Sequence, residues 1–95
     1  MITTEFKVIG KLSNVELSTS NKGIMIATCI ITTERVKNNG EKTFDKFKVV
    51  AFSDNATKLA NQQNDNVIVF GHINANNYQG HYNNELIADS ITCID

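Results

Sequence analysis

Phe70-Gly71-His72-Ile73-Asn74-Ala75-Asn76-Asn77-Tyr78, answered by Asn83-Asn84-Glu85-Leu86-Ile87-Ala88-Asp89-Ser90-Ile91, decides how the rest of the chain is read. The two stretches form the arms of a long β-hairpin around a polar tip, Gln79-Gly80-His81. Strand side chains point alternately to opposite faces. Counted from Val67, one face carries Val67, Val69, Gly71, Ile73 and Ala75, all small or apolar, and suits a barrel interior. The other carries Ile68, Phe70, His72, Asn74, Asn76 and Tyr78 and faces outward. Tyr78 ends the arm beside the tip, where a ring has room to project.

Working back from this hairpin, apolar alternation recurs in runs separated by Gly- and Asn-rich turns, the pattern of a small antiparallel β domain. The predicted strands cover about residues 4–18, 24–35 and 42–53, then 67–78 and 82–94. Ser20-Asn21-Lys22-Gly23 and Lys37-Asn38-Asn39-Gly40 supply turns, and Asn-Gly is a strong hairpin signal. Between the third and fourth strands, Ser53 or Asp54 can cap a helix over about residues 55–63, buried along Ala56, Leu59 and Ala60 at helical spacing. Five strands with one helix between the third and fourth is the order of an all-β OB-fold barrel, which binds oligonucleotides across one face. All 95 residues make one such domain.

Strand three carries the chemistry. Phe47, Val49 and Ala51 form its interior set; Phe44, Lys46, Lys48, Val50 and Phe52 form the outer one. Aromatic faces stack bases without reading sequence, and ammonium groups neutralise phosphates. On residues alone, Phe52 also reads as a core ring, and the two lysines as a solvated face. The net charge of −1 by itself argues against a nucleic-acid binder, but its distribution is uneven. Residues 1–48 hold eight Lys/Arg against five Asp/Glu, and residues 49–95 hold one against five. Binding depends on the local field, so a basic face on a near-neutral protein is enough.

Enzyme, metal and membrane readings lack the residues they need. His72 and His81 fall on different strands, with no cysteine at metal-ligand spacing. No carboxylate cluster offers a Mg²⁺ site and no Gly-rich loop a phosphate cradle, so no cofactor is expected. No apolar run approaches a membrane span and no signal segment opens the chain, which points to the cytoplasm. Cys29 and Cys93, each inside an apolar run, then read as reduced, buried thiols.

The same residues resemble the bacterial and phage single-stranded DNA-binding proteins. Val8-Ile9-Gly10-Lys11-Leu12 is similar to that family's first strand, Glu16-Leu17 to its next signature, and Thr32-Thr33-Glu34-Arg35 to the end of its second strand. Lys48-Val49-Val50-Ala51-Phe52 resembles the third strand, and Ala56-Thr57-Lys58-Leu59-Ala60-Asn61 the helix. Tyr82, Glu85 and Ala88-Asp89-Ser90-Ile91 fall in register with the return strand. The resemblance implies sequence-tolerant binding and protection of single-stranded DNA in replication, recombination or repair, without catalysis. It implies base stacking on Tyr78 and Phe52, and phosphate contacts from Lys46, Lys48, Arg35 and Lys37, with Lys22 more remote. A family stacking position aligns with Lys46, leaving Phe44 or Tyr82 as stand-ins. Asn74 and Asn76 occupy positions where the family often has basic residues. Assembly into dimers or tetramers is implied, with Phe70 at a subunit contact and replication or recombination proteins as further partners. Ending at Asp95 without the family's acidic-tipped tail, the chain reads as a minimal DNA-binding core of phage or mobile-element type. The alternatives are a primosome-type OB protein that mainly bridges partners, and an OB domain that binds protein only.

Overall fold

The computed structural model describes residues 4–62, 65–78 and 80–94, with the backbone alone described at 76–78 and 81–83. Its elements are β1 (Glu5–Thr19), β2 (Met25–Val36), β3 (Lys42–Phe52), α1 (Asp54–Asn61), β4 (Asn66–Tyr78) and β5 (His81–Cys93). The strands close into a barrel in the order β1-β2-β3-β5-β4, the all-β architecture expected of an OB fold. Every predicted element is present, with ends displaced by no more than two residues.

Closure depends on the length of β1. Its first half, from Glu5 to Lys11, pairs with β4, and its second, from Lys11 to Thr19, pairs with β2. The strand changes partner at Lys11, just after Gly10, where a Cβ would overlap the Thr32 carbonyl oxygen. Glycine in a strand commonly marks such a close approach or bend. The second tight point lies in the β4–β5 hairpin. There Phe70 pairs with Ser90 and Gly71 with Ala88, so Asp89 is the extra residue of a bulge. A Cβ on Gly71 would overlap the Ile87 carbonyl oxygen and stand 2.7 Å from the Phe6 ring.

Inside the barrel, Leu12, Ala27, Ile31, Val49, Ala51, Val67 and Val69 are fully buried. The helix α1 packs Ala56 and Leu59 against this core. Ala60 is only half-buried, so the buried stripe is narrower than its spacing predicts. The helix starts after Ser53, whose side chain makes no capping bond and whose φ is 55°. Its entry is fixed by backbone instead, with Ser53 donating to the Met25 carbonyl at 2.9 Å. Asp54 in the first turn complements the positive end of the helix.

Two positions depart from the alternation reading of β3. Phe47, expected inside, is 36 % exposed. Among the described pairings, β3 meets β5 at Val49 and Val50, and β1 pairs with β2 from Lys11, opposite Thr32, onward. Phe47 therefore has β2 on one side and, among the described pairings, no β5 residue on the other. Val50, expected on the open outer face, is buried, because the parallel β5 sets Ile87 beside it. Cys29 is a buried thiol, and Cys93 is a half-buried one whose Sγ lies 3.7 Å from Asp65 Oδ2. Burial pushes the Cys29 thiol up to about 11.

Candidate nucleic-acid interface

Pairing register lays the outer face of β1, β2 and β3 out in rows. Ser18, Ile26 and Phe52 form the first, and Glu16, Thr28 and Val50 the second. Ser13, Ile30 and Lys48 form the third, then Lys11, Thr32 and Lys46, and last Glu34 with Phe44. A bulge between Ser13 and Glu16, with Asn14 at φ 53°, keeps those two side chains on one face despite their odd spacing. The result is an open sheet with an aromatic ring at each end of β3 and two lysines between them.

The rings are accessible. Phe44 is 63 % exposed and Phe52 41 % exposed, which rejects the core reading of Phe52. Lys46 and Lys48 are exposed as well, and Lys11 joins them across Thr32. Hollows border this face. One of about 490 Å³ runs from the Asn14 bulge past Thr28 to Lys48. Another, of about 360 Å³, lies where β3 parts from β5, between Phe52, Lys48 and Val50 on one side and Asn84 and Glu85 on the other. A third, of about 500 Å³, joins Lys11 and Thr32 to Phe44.

Other expected contacts stand elsewhere. Arg35 shares its register row with Thr43, on the opposite face of the hairpin from Phe44, Lys46 and Lys48. There it donates to Asp45 at 2.7 Å, an exposed ion pair. Lys37 is exposed in the turn, where its backbone N–H donates to Glu41 at 2.8 Å and its carbonyl accepts from Gly40 at 2.9 Å. Asn74 is exposed on β4 opposite Glu85, one strand further from Lys48. The side chains of Asn76, Tyr78 and Tyr82 lie outside the described residues; their backbones pair within the β4–β5 hairpin. Lys22 sits exposed in the first turn.

Sequence reasoning missed Lys11, Glu16, Asn84 and Glu85. Lys11 and Glu16 could have been found by pairing β1 with β2 across their turn. Glu85 could not, because it reaches the groove only through the parallel contact of β3 with β5. Among the described residues, no group of three or more His, Cys, Asp or Glu is placed to hold a metal ion. His72 and Asp89 meet at 2.8 Å on the outer face of the β4–β5 hairpin, away from the rows above.

The sequence profile of the single-strand binding protein family matches residues 3–94. No individual curated protein matches the chain significantly.

Proposed function

We infer, from the premise that this chain belongs to the single-strand binding protein family and binds single-stranded DNA, that the strand lies across the outer face of β1, β2 and β3. One observation carries this reading: Phe44, Lys46, Lys48 and Phe52 share one exposed strand face of the barrel. Bases stack on the two rings, and the lysines, with Lys11, neutralise phosphates. Contacts of this kind read no sequence and break no bond. The protein holds and protects single strands during replication, recombination or repair in the bacterial cytoplasm, without a catalytic step.

The test is a titration of a fluorescently labelled thymidine oligonucleotide at fixed salt. Phe52→Ala loses about 1–3 kcal/mol of binding free energy, the usual worth of one stacked base. Phe52→Tyr loses much less, because stacking needs the ring. Equal affinity for Phe52→Ala and wild type removes Phe52 from the interface.

Assembly belongs to the neighbouring face, formed by the first half of β1 and β4. Ile9 is 48 % exposed and Phe70 47 % exposed on neighbouring strands, with Ile68 half-buried between them. The Lys7 ammonium stands 5.5 Å from the centre of the Phe70 ring. A second copy covers this patch in our reading, leaving the β1–β3 face free for DNA. Sedimentation then finds a dimer or larger species at micromolar concentration, and Ile9→Asp with Phe70→Asp yields monomers. A monomeric wild type contradicts this arrangement.

A further inference from the structure

We propose that Asn39 is a site of spontaneous covalent modification. Its carboxamide closes onto the Gly40 amide nitrogen, loses ammonia, and leaves aspartate or isoaspartate at the tip of the β2–β3 hairpin.

Of the thirteen asparagines in the chain, only Asn39 is followed by glycine. The distinction is steric. The amide nitrogen of the next residue must reach the carboxamide carbon, and a side chain on that residue hinders the approach. Gly40 has none, and beyond its chain neighbours nothing lies within 4 Å of where a Cβ would stand. Asn39 Oδ1 accepts the Glu41 N–H at 3.0 Å, which folds the carboxamide back over the Gly40 peptide unit. The same N–H faces the oxygen on which negative charge develops as the nitrogen attacks, and stabilises it. Residues 37–42 are all exposed, so water reaches the turn.

One bond opposes the step. The Gly40 N–H donates to the Lys37 carbonyl at 2.9 Å, and the nitrogen attacks only after releasing it. An exposed turn opens locally at little cost. Meanwhile the Lys37 N–H, donating to the Glu41 carbonyl at 2.8 Å, holds the neck of the hairpin together.

Hydroxide removes the Gly40 amide proton, and the nitrogen forms a bond to Asn39 Cγ. The carboxamide C–N bond then breaks, and its nitrogen leaves as ammonia with a proton from water. Water opens the resulting five-membered imide. Cleavage at the Cγ carbonyl gives aspartate, and cleavage at the main-chain carbonyl gives isoaspartate, with the main chain rerouted through Cβ. The sum is an amide and water becoming an acid and ammonia. Either product adds a carboxylate to the hairpin that carries Phe44 and Lys46. On the single-strand reading above, and only on it, that charge repels DNA passing the Phe44 end of the face.

The experiment holds the purified protein in warm, mildly alkaline buffer for several days and follows its mass and its tryptic peptides. Asn39 converts severalfold faster than every other asparagine, and an isoaspartate-specific methyltransferase labels the product. Gly40→Ala slows the conversion severalfold. Faster conversion at another asparagine, or an undiminished rate in Gly40→Ala, overturns the proposal and leaves the single-strand reading untouched. The variant Asn39→Asp supplies the product charge directly. It binds a labelled thymidine oligonucleotide about twofold more weakly, the scale of one exposed charge. Affinity equal to wild type overturns the consequence for DNA while the modification stands. A wild type that binds no single strand overturns the single-strand reading and that consequence together.

Discussion

Reversing two charges, Lys46→Glu with Lys48→Glu, weakens single-strand binding by about 25-fold at about 0.1 M salt. The figure follows from counterion release: the log–log salt slope for single strands is about −0.7 per phosphate neutralised, so two lost contacts remove about 1.4 from it. Added repulsion makes the loss larger. Both side chains are exposed on the outer face of β3, so the barrel tolerates the change. Affinity measured across a salt series checks this. A double variant with the wild-type slope means that the phosphate track lies off β3. Arg35→Gln serves as the contrast: Arg35 is bound to Asp45 on the other face of the hairpin, and its loss leaves the slope close to wild type.

The second large effect falls on folding. Gly71→Val costs about 3 kcal/mol or more, because the new Cβ overlaps a backbone carbonyl, which cannot move aside as a flexible side chain would. For a domain of this size that lowers Tm by about 12–24 °C. Gly40→Ala separates overlap from backbone strain. Gly40 has a φ of 88°, but a Cβ there meets nothing within 4 Å. Its loss is confined to the strain of a left-handed residue, about 1 kcal/mol. Calorimetry on the two variants distinguishes them. Equal Tm values contradict the account of the β4–β5 bulge as a tight point of the barrel.

Local pattern carried much of this fold. Alternation in β4 assigned Val67 and Val69 to the interior and Phe70 and Asn74 to the surface, as found. In β3 it placed Lys46, Lys48 and Phe52 together on the outer face. Its failures share a cause, since alternation assigns a side to each residue but not what covers that side. Val50 faces outward and is buried because β5 supplies Ile87 next to it, 37 residues further along the chain. Phe47 points inward, in a row with buried Ile31 and Leu12, and is exposed because it lies before the point where β3 meets β5. Arg35 is expected to share the phosphate track with Lys46, yet an odd offset across the hairpin sends the two to opposite faces. The bulges at Asn14 and Asp89 each shift the face count by one, and neither carries a glycine that would mark it in the sequence.

The most direct test of the β1–β3 face as the DNA interface is to map backbone amide resonances while a short thymidine oligonucleotide is added. The account predicts that the largest shifts fall at Thr28, Ile30, Thr32, Lys46, Lys48 and Phe52, with Lys7, Ile9 and Phe70 little changed. Largest shifts at Lys7, Ile9 and Phe70, with the β2 and β3 amides unmoved, would contradict it.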